Sequence, residues 1–216
     1  MTVELTLYNY WRSSASYRVR IALGVKQLEY RYVAVDILSD EQHAADYVAR
    51  NTMAQVPTLE LAEPGQPALR LSQSLPIIEY LDDRWPKNRL LPAEPVARAR
   101  ARALAEIVNA GIQPLQNLST TNAVKALGGD VGAWVRPFVE RGLAAFAAAA
   151  AATAGRFSVG DAPSIADCCL IPQLYSARRF GASLAGLDRL LAIEAACEEL
   201  PAFTAAHPDR QPDAKL

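Results

Sequence analysis

Residues 10–23, Y-W-R-S-S-A-S-Y-R-V-R-I-A-L, follow a run of β-branched, aromatic and leucine residues (3–8) that stops at Asn9. Tyr17, Ile21 and Val25 then fall four apart, which marks one face of a helix over residues 16–26. The quoted stretch is therefore the turn that carries a strand into a helix. A redox protein beginning strand, helix, strand would place Cys-x-x-Cys here. This chain has Ser13, Ser14, Ala15 and Ser16 instead, so its own residues cannot exchange a dithiol at this turn. One serine suffices to cap a helix, and three hydroxyls in four residues leave donors for something else.

Such a turn can stabilise a thiolate supplied from elsewhere. A free thiol titrates near ~8.5, and lowering that value by about two units takes roughly 2.7 kcal/mol of preference for the anion. One hydroxyl donated to a charge contributes about 1.5–3 kcal/mol, and a helix N-terminus about 0.3–1 kcal/mol. Together they reach the required size.

Outward from the turn, residues 29–35 (E-Y-R-Y-V-A-V) read as a second strand and 40–50 as a short helix or an irregular covering segment. Short strands at 56–61 and 68–71 flank E-P-G-Q-P (63–67), whose proline and glycine suit a hairpin turn. A helix starts at Ser74, with Pro76 tolerated in its first turn and Ile77, Ile78 and Leu81 on one side. Composition then changes. Residues 85–95 hold Pro86, Pro92 and Pro95 and read as a linker, beyond which helices are expected at 97–112, 131–153, 164–178 and 187–200. The tail from Pro208 is expected to lie extended on the surface.

With 216 residues the chain is one large domain or two small ones and can bury roughly 70% of its unfolded surface. Its 22 basic and 23 acidic residues leave a net charge of -1, so no global field draws nucleic acid or an anionic membrane. Any anion recognition must be local. Cys168, Cys169 and Cys197 have neither zinc nor redox spacing and read as reduced core thiols of a cytoplasmic protein, with no metal expected. The opening M-T-V-E lacks the basic start and apolar stretch of a signal peptide. The longest apolar run, 143–154, is alanine-dominated and shorter than the ~18 residues of a membrane span.

Three other motifs carry local meaning. Ser164-Ile165-Ala166-Asp167 has the form of a capping box, in which hydroxyl and carboxylate satisfy amides left over at a helix start. Val56-Pro57 opens a strand and reads either as an edge-strand proline or as a cis bond that turns the Val56 backbone toward a bound peptide. Ser74, after Gln73, is an ordinary N-cap by default; alternatively the same helix start receives a carboxylate on its free amides.

These residues resemble the cytosolic glutathione transferases, and within them the zeta class, which includes maleylacetoacetate and maleylpyruvate isomerases. The resembling stretches are residues 10–23, Q-V-P-T-L (55–59), L-S-Q-S-L-P-I-I-E-Y-L (71–81), A-G-I-Q-P-L-Q-N-L-S (110–119), V-G-D-A-P-S-I-A-D (159–167), L-I-P-Q-L-Y-S-A-R-R-F (170–180) and H-P-D-R-Q-P-D (207–213). The resemblance implies an α/β, thioredoxin-like N-terminal domain (1–84), the linker (85–95), an all-helical C-terminal domain (96–216) and a homodimer. It also implies a glutathione cofactor. Ser13 would donate to its sulfur, with Ser14 and the amides of Ala15, Ser16, Tyr17 and Arg18 nearby. Val56 would pair with its cysteinyl backbone, Gln73 and Ser74 would hold its γ-glutamyl end, and Gln42 would approach its glycine end. Gln113, Asn117, Leu118 and Ser119 would line the pocket from the helical side.

Most of the class carries cysteine where this chain has Ala15, which leaves the glutathione sulfur as the sole nucleophile. The implied chemistry is cis-trans isomerisation of a conjugated dioxo dicarboxylic acid by thiolate addition, bond rotation and elimination. Arg12 and Arg179 match the positions that would bind the substrate's carboxylate or enolate oxygens, which suit a planar guanidinium fork. Arg178, Arg18 and Arg20 read as ordinary solvated or salt-bridged arginines. Two other functions fit the same pattern: a general conjugating or α-halo acid dehalogenating transferase, and a non-catalytic glutathione-binding protein.

Overall fold

The computed structural model describes residues 3–215; Met1, Thr2 and Leu216 lie outside the described residues. The chain forms two units, Met1–Leu90 with Pro201–Leu216, and Leu91–Leu200.

The first unit follows the order expected from the opening turn. Strand β1 (Glu4–Asn9) leads into helix α1 (Ser14–Val25) and back to strand β2 (Arg31–Ala34). A 3-10 turn (Glu41–His43) and a four-residue helix α2 (Ala45–Val48) occupy the stretch read as short helix or irregular cover. Strands β3 (Thr58–Ala62) and β4 (Leu69–Ser72) and helix α3 (Ser74–Arg84) complete it. The sheet order is β2-β1-β3-β4, with β1 and β2 parallel and the other pairs antiparallel. Leu5 pairs with Leu61 and Leu7 with Leu59, all four buried, so the period-two pattern of the strands gives this sheet one continuous leucine face. Tyr8 points the other way and packs with Val35 and Tyr47, with Val33 and Val56 against them. Both faces of β1 are thereby covered, and the turn at its end is held from either side.

In the second unit, α4 (Pro95–Asn109), α7 (Val131–Ala150), α8 (Ile165–Phe180) and α9 (Asp188–Glu198) form where four helices were expected. Two short helices, α5 (Gln113–Gln116) and α6 (Leu118–Ala126), were not foreseen. Helix α5 is only four residues long and α6 carries Ser, Thr, Thr and Asn in succession, and each is held by specific bonds. Asn117 caps α6 by accepting from the Ser119 N–H at 3.2 Å, and Gln116 exchanges amide bonds of 3.0 and 3.1 Å with Gln173 of α8. At the start of α8, the buried Asp167 carboxylate accepts from the amides of Ser158 (2.9 Å) and Ser164 (2.8 Å) and from the Ser164 hydroxyl (2.9 Å), which makes the capping box.

The segment 201–216 departs from expectation twice. It groups with the first unit instead of the helical one, and its described residues, 201–215, are not extended throughout. Helix α10 (Pro201–Ala205) packs on α1 at Gly24, where a Cβ would stand 3.1 Å from that of Ala202. A second 3-10 turn (Pro208–Arg210) follows, with Pro208 buried and Gln211 donating to the carbonyls of Ala205 (2.9 Å) and His207 (2.8 Å). The hydrogen-bonding side chains, invisible to a reading based on proline content, are what fold it back. No described helix is long and apolar enough to cross a membrane.

Candidate active site

Ser13 is the N-cap of α1, in extended backbone, and its Oγ accepts from the Ser16 N–H at 3.2 Å. That bond uses an oxygen lone pair and leaves the hydroxyl proton to be given away, so capping and donation to a sulfur do not compete. The first turn of α1 holds no acidic residue, so the positive end of the helix is uncompensated by its own side chains. Ser13, Ser14 and Ala15 are half-buried; Ser16 is fully buried, and its Oγ has no partner among the described residues. Arg12 is half-buried, with its guanidinium 5.2 Å from the centre of the Trp11 ring.

Arg18 and Arg20 correct the sequence reading, which took both as solvated or salt-bridged. Each is about fully buried, at 1% and 2% exposure. Arg18 Nη1 donates to Ser74 Oγ at 3.1 Å. Ser74 is consequently not the cap of α3: Gln73 holds the cap position with φ 70°, without a side-chain bond to the helix, and Ser74 is the first helical residue. The start of α3 combines free amides with a buried guanidinium beside them, a setting for a carboxylate. Arg20 donates to the carbonyls of Ala206 (3.1 Å), Tyr10 (3.4 Å) and Trp11 (2.8 Å) and to Asn9 Oδ1 (3.0 Å), and burial lowers its pKa. Tyr17, also buried, packs edge-on against His207, with the Arg20 guanidinium 5.4 Å from its ring centre.

The Val56–Pro57 peptide is cis, the bond geometry of the second reading. The residue before it is fixed by two donors, Tyr47 Oη and Asn51 Nδ2, each 2.7 Å from the Gln55 carbonyl. The β3 ladder begins only at Thr58, so the Val56 backbone lies outside it. Gln42 is 7% exposed and its Oε1 is without a partner among the described residues; neighbouring His43 is exposed. Ser13 thus stands between β1 and the start of α1, Gln73 and Ser74 between β4 and the start of α3, and Val56 just ahead of β3.

In the helical unit, Arg179 is exposed in the last turn of α8 with its guanidinium 4.7 Å from the Phe180 ring centre. Arg178 beside it is occupied by a two-pronged pair with Glu194, at 2.6 and 2.5 Å. Gln113 starts α5 and is half-buried, as are Asn117 and Leu118; the Asn117 oxygen is engaged with both the amide and the hydroxyl of Ser119. Gln116 was missed by the sequence reading, although the polar Gln173 inside the apolar run L-I-P-Q-L called for a buried partner. All three cysteines are buried outside any disulfide, and burial pushes the Cys197 thiol far up, so it offers no nucleophile.

Residues 3–83 match the family described as Glutathione S-transferase, N-terminal domain. The chain is 46% identical over 215 residues to the maleylacetoacetate isomerase of Rhizobium meliloti (strain 1021), covering 97% of this chain and 99% of that one. It is 50% identical, with a TM-score of 0.91 and 99% of each chain covered, to the crystal structure of maleylacetoacetate isomerase from Anaeromyxobacter dehalogenans 2CP-1 with glutathione bound in the active site. The structure of a maleylpyruvate isomerase described as a zeta-class bacterial glutathione S-transferase matches at 40% identity and a TM-score of 0.90, covering 97% of this chain and 100% of that one. The chain belongs to the zeta-class glutathione transferases. With Ser13, Ser14, Ala15 and Ser16 at the α1 turn and all three cysteines buried, the described residues offer no exposed thiol.

Proposed function

We propose that this transferase is a glutathione-dependent cis-trans isomerase of a conjugated dioxo dicarboxylate, maleylacetoacetate or maleylpyruvate. The observation that carries the reading is Ser13: a half-buried hydroxyl at a helix start free of acidic residues, with its oxygen already accepting and its proton available. The donor set fits glutathione. The tripeptide's γ-glutamyl carboxylate matches the amides of α3 and the Arg18–Ser74 pair, with Gln73 at the cap, and its peptide backbone matches the open Val56 backbone. The orphaned Gln42 Oε1 is an acceptor and suits a peptide N–H near the glycine end. When bound, glutathione supplies a thiolate that adds reversibly to the activated alkene.

On this reading Ser13 holds the thiol deprotonated, aided by the α1 dipole, with Ser14 and the amides of Ala15, Ser16, Tyr17 and Arg18 around the sulfur. Arg12 and Arg179 receive the carboxylate and enolate oxygens of the substrate as charge moves onto them. Gln113, Asn117, Leu118 and Ser119, in the helical unit, complete the proposed cofactor-binding set. The three reduced thiols suit a cytoplasmic enzyme, and the class resemblance supports a homodimer, which sedimentation would establish or refute.

The deciding experiment is an isomerase assay with both substrates, with and without glutathione, on the wild type and on Arg179→Ala. Turnover that requires glutathione and falls about 10- to 100-fold in Arg179→Ala is expected. A wild type inactive on both substrates would reject the isomerase, and turnover of α-halo acids indifferent to Arg179 would favour a dehalogenating transferase.

A further inference from the structure

We infer that Asp213 is a positioning residue of this site: together with Arg20 it clamps the Tyr10–Trp11 peptide and so sets the backbone that presents Arg12 and Ser13. The Trp11 N–H donates to Asp213 Oδ2 at 3.0 Å, while the Tyr10 carbonyl of the same peptide unit accepts from Arg20 Nη1 at 3.4 Å. An anion thus holds the hydrogen end of one peptide and a cation its oxygen end. The next carbonyl, that of Trp11, accepts from Arg20 Nη2 at 2.8 Å. Because each peptide is planar, gripping two in succession fixes the φ and ψ between them. The Tyr10 carbonyl also accepts from the Ser13 N–H at 3.1 Å, so a tilt of the clamped peptide passes directly to Ser13.

Both jaws of the clamp are themselves anchored. Arg20 is buried on α1 and also bonded to Asn9 of β1 and to the Ala206 carbonyl. Asp213 is half-buried, and its second oxygen accepts from the Tyr32 hydroxyl of β2, the strand that runs parallel to β1. The segment carrying Asp213 is fastened on both sides of it, by Gln211 to the Ala205 and His207 carbonyls and by Lys215 to Asp36 at 2.9 Å. Residues some two hundred positions from Ser13 in the sequence therefore determine where its hydroxyl stands. A tie that served stability alone would leave the thiol chemistry unchanged, and this is what separates the two roles.

The test uses the full chain as wild type, Asp213→Ala, Asp213→Asn and Asp213→Glu. It reads isomerase kcat and KM for glutathione, the ultraviolet titration of the bound glutathione thiol, and thermal unfolding. Asp213→Ala should lower kcat about tenfold or more while KM moves less than about threefold, because a small misplacement at a reacting group is felt in the chemical step. The bound thiol should titrate about one unit higher, with Tm reduced by less than about 10 °C. Asp213→Glu, which restores a carboxylate, should recover part of the loss. Should Asp213→Ala not fold, Asp213→Asn removes the charge while its oxygen can still accept from the Trp11 N–H and its amide can donate to the Tyr32 hydroxyl, so it should shift kcat and the thiol titration in the same direction by less. Unchanged kcat and thiol titration, or losses that equal the unfolded fraction, would overturn the inference. It rests on the proposed isomerase only through kcat. If the wild type turns over neither substrate, that reading fails, and Asp213 is judged by the thiol titration, where no shift overturns it.

Discussion

Ser13 accepts from the Ser16 amide with its oxygen and keeps its proton for a sulfur, so one side chain both starts the helix and addresses the ligand. Removing it separates the two functions. Ser13→Ala should lower kcat about 100-fold, the usual cost of losing one hydrogen-bond donor to developing charge, while the KM for glutathione changes little because the α3 start and Val56 remain. A raised KM for glutathione with kcat unchanged, measured at steady state, would make Ser13 a binding group only. Loss of the cap should cost only about 1 kcal/mol, so the variant stays folded. The turn was legible in the sequence because serine density and the absent Cys-x-x-Cys are local properties. Arg18 and Arg20 were not, since an arginine on a helix looks solvated until the groups that surround it are known. Their partners, Ser74 and the Ala206 carbonyl, lie 56 and 186 positions away.

Helix α8 illustrates what periodicity can and cannot reveal at the scale of an element. Its capping box was readable because Ser164 and Asp167 sit three apart, and the structure adds the distant donor, the Ser158 amide. Asp167→Ala leaves the buried amides of Ser158 and Ser164 without an acceptor, which should destabilise the chain by about 2–4 kcal/mol in denaturant titrations near pH 7. The pH dependence is inverted relative to that of an ordinary paired carboxylate. Burial, partly offset by its hydrogen bonds, raises the Asp167 pKa above its ordinary 3.8, so in that window the folded chain binds the proton more tightly than the unfolded chain. Its contribution is thus fully present below 3.8 and falls as pH rises through the folded-state value. The gap between wild type and Asp167→Ala should therefore be wider in acid than at neutrality; a gap that widened as pH rose would contradict the burial. Helices α5 and α6 escaped notice for the opposite reason. Their stability comes from the Gln116–Gln173 exchange and the Asn117 cap, and propensity alone does not favour Q-P-L-Q or S-T-T-N.

For the molecule as a whole, the order of elements followed from pattern, whereas the destination of residues 201–216 did not. Which unit receives a tail depends on a glycine that admits Ala202 and on polar side chains that find carbonyls, and neither leaves a periodic trace. The consequence is that the first unit contains Ser13 to Arg18, Gln42, Val56, Gln73 and Ser74 of the proposed glutathione-binding set, together with the segment that braces them, while Gln113, Asn117, Leu118 and Ser119 belong to the second. Ligand binding should accordingly stabilise this unit even where the chemistry has been disabled. At a concentration of about 100 times Kd, glutathione should add roughly 2.7 kcal/mol to the unit's stability by mass action, a rise of about 5–10 °C for a chain of this size. Ser13→Ala should keep most of that rise, since its loss falls on the thiolate. By contrast Arg18→Met, which strips the cation from the start of α3 while retaining an unbranched apolar stem, should lose much of it. Thermal scans of the three proteins with and without glutathione, and with a thiol-free analogue of the tripeptide, decide the matter. A wild type that does not respond to glutathione would remove the cofactor assignment. An Arg18→Met that responds fully would place the γ-glutamyl carboxylate somewhere other than the start of α3.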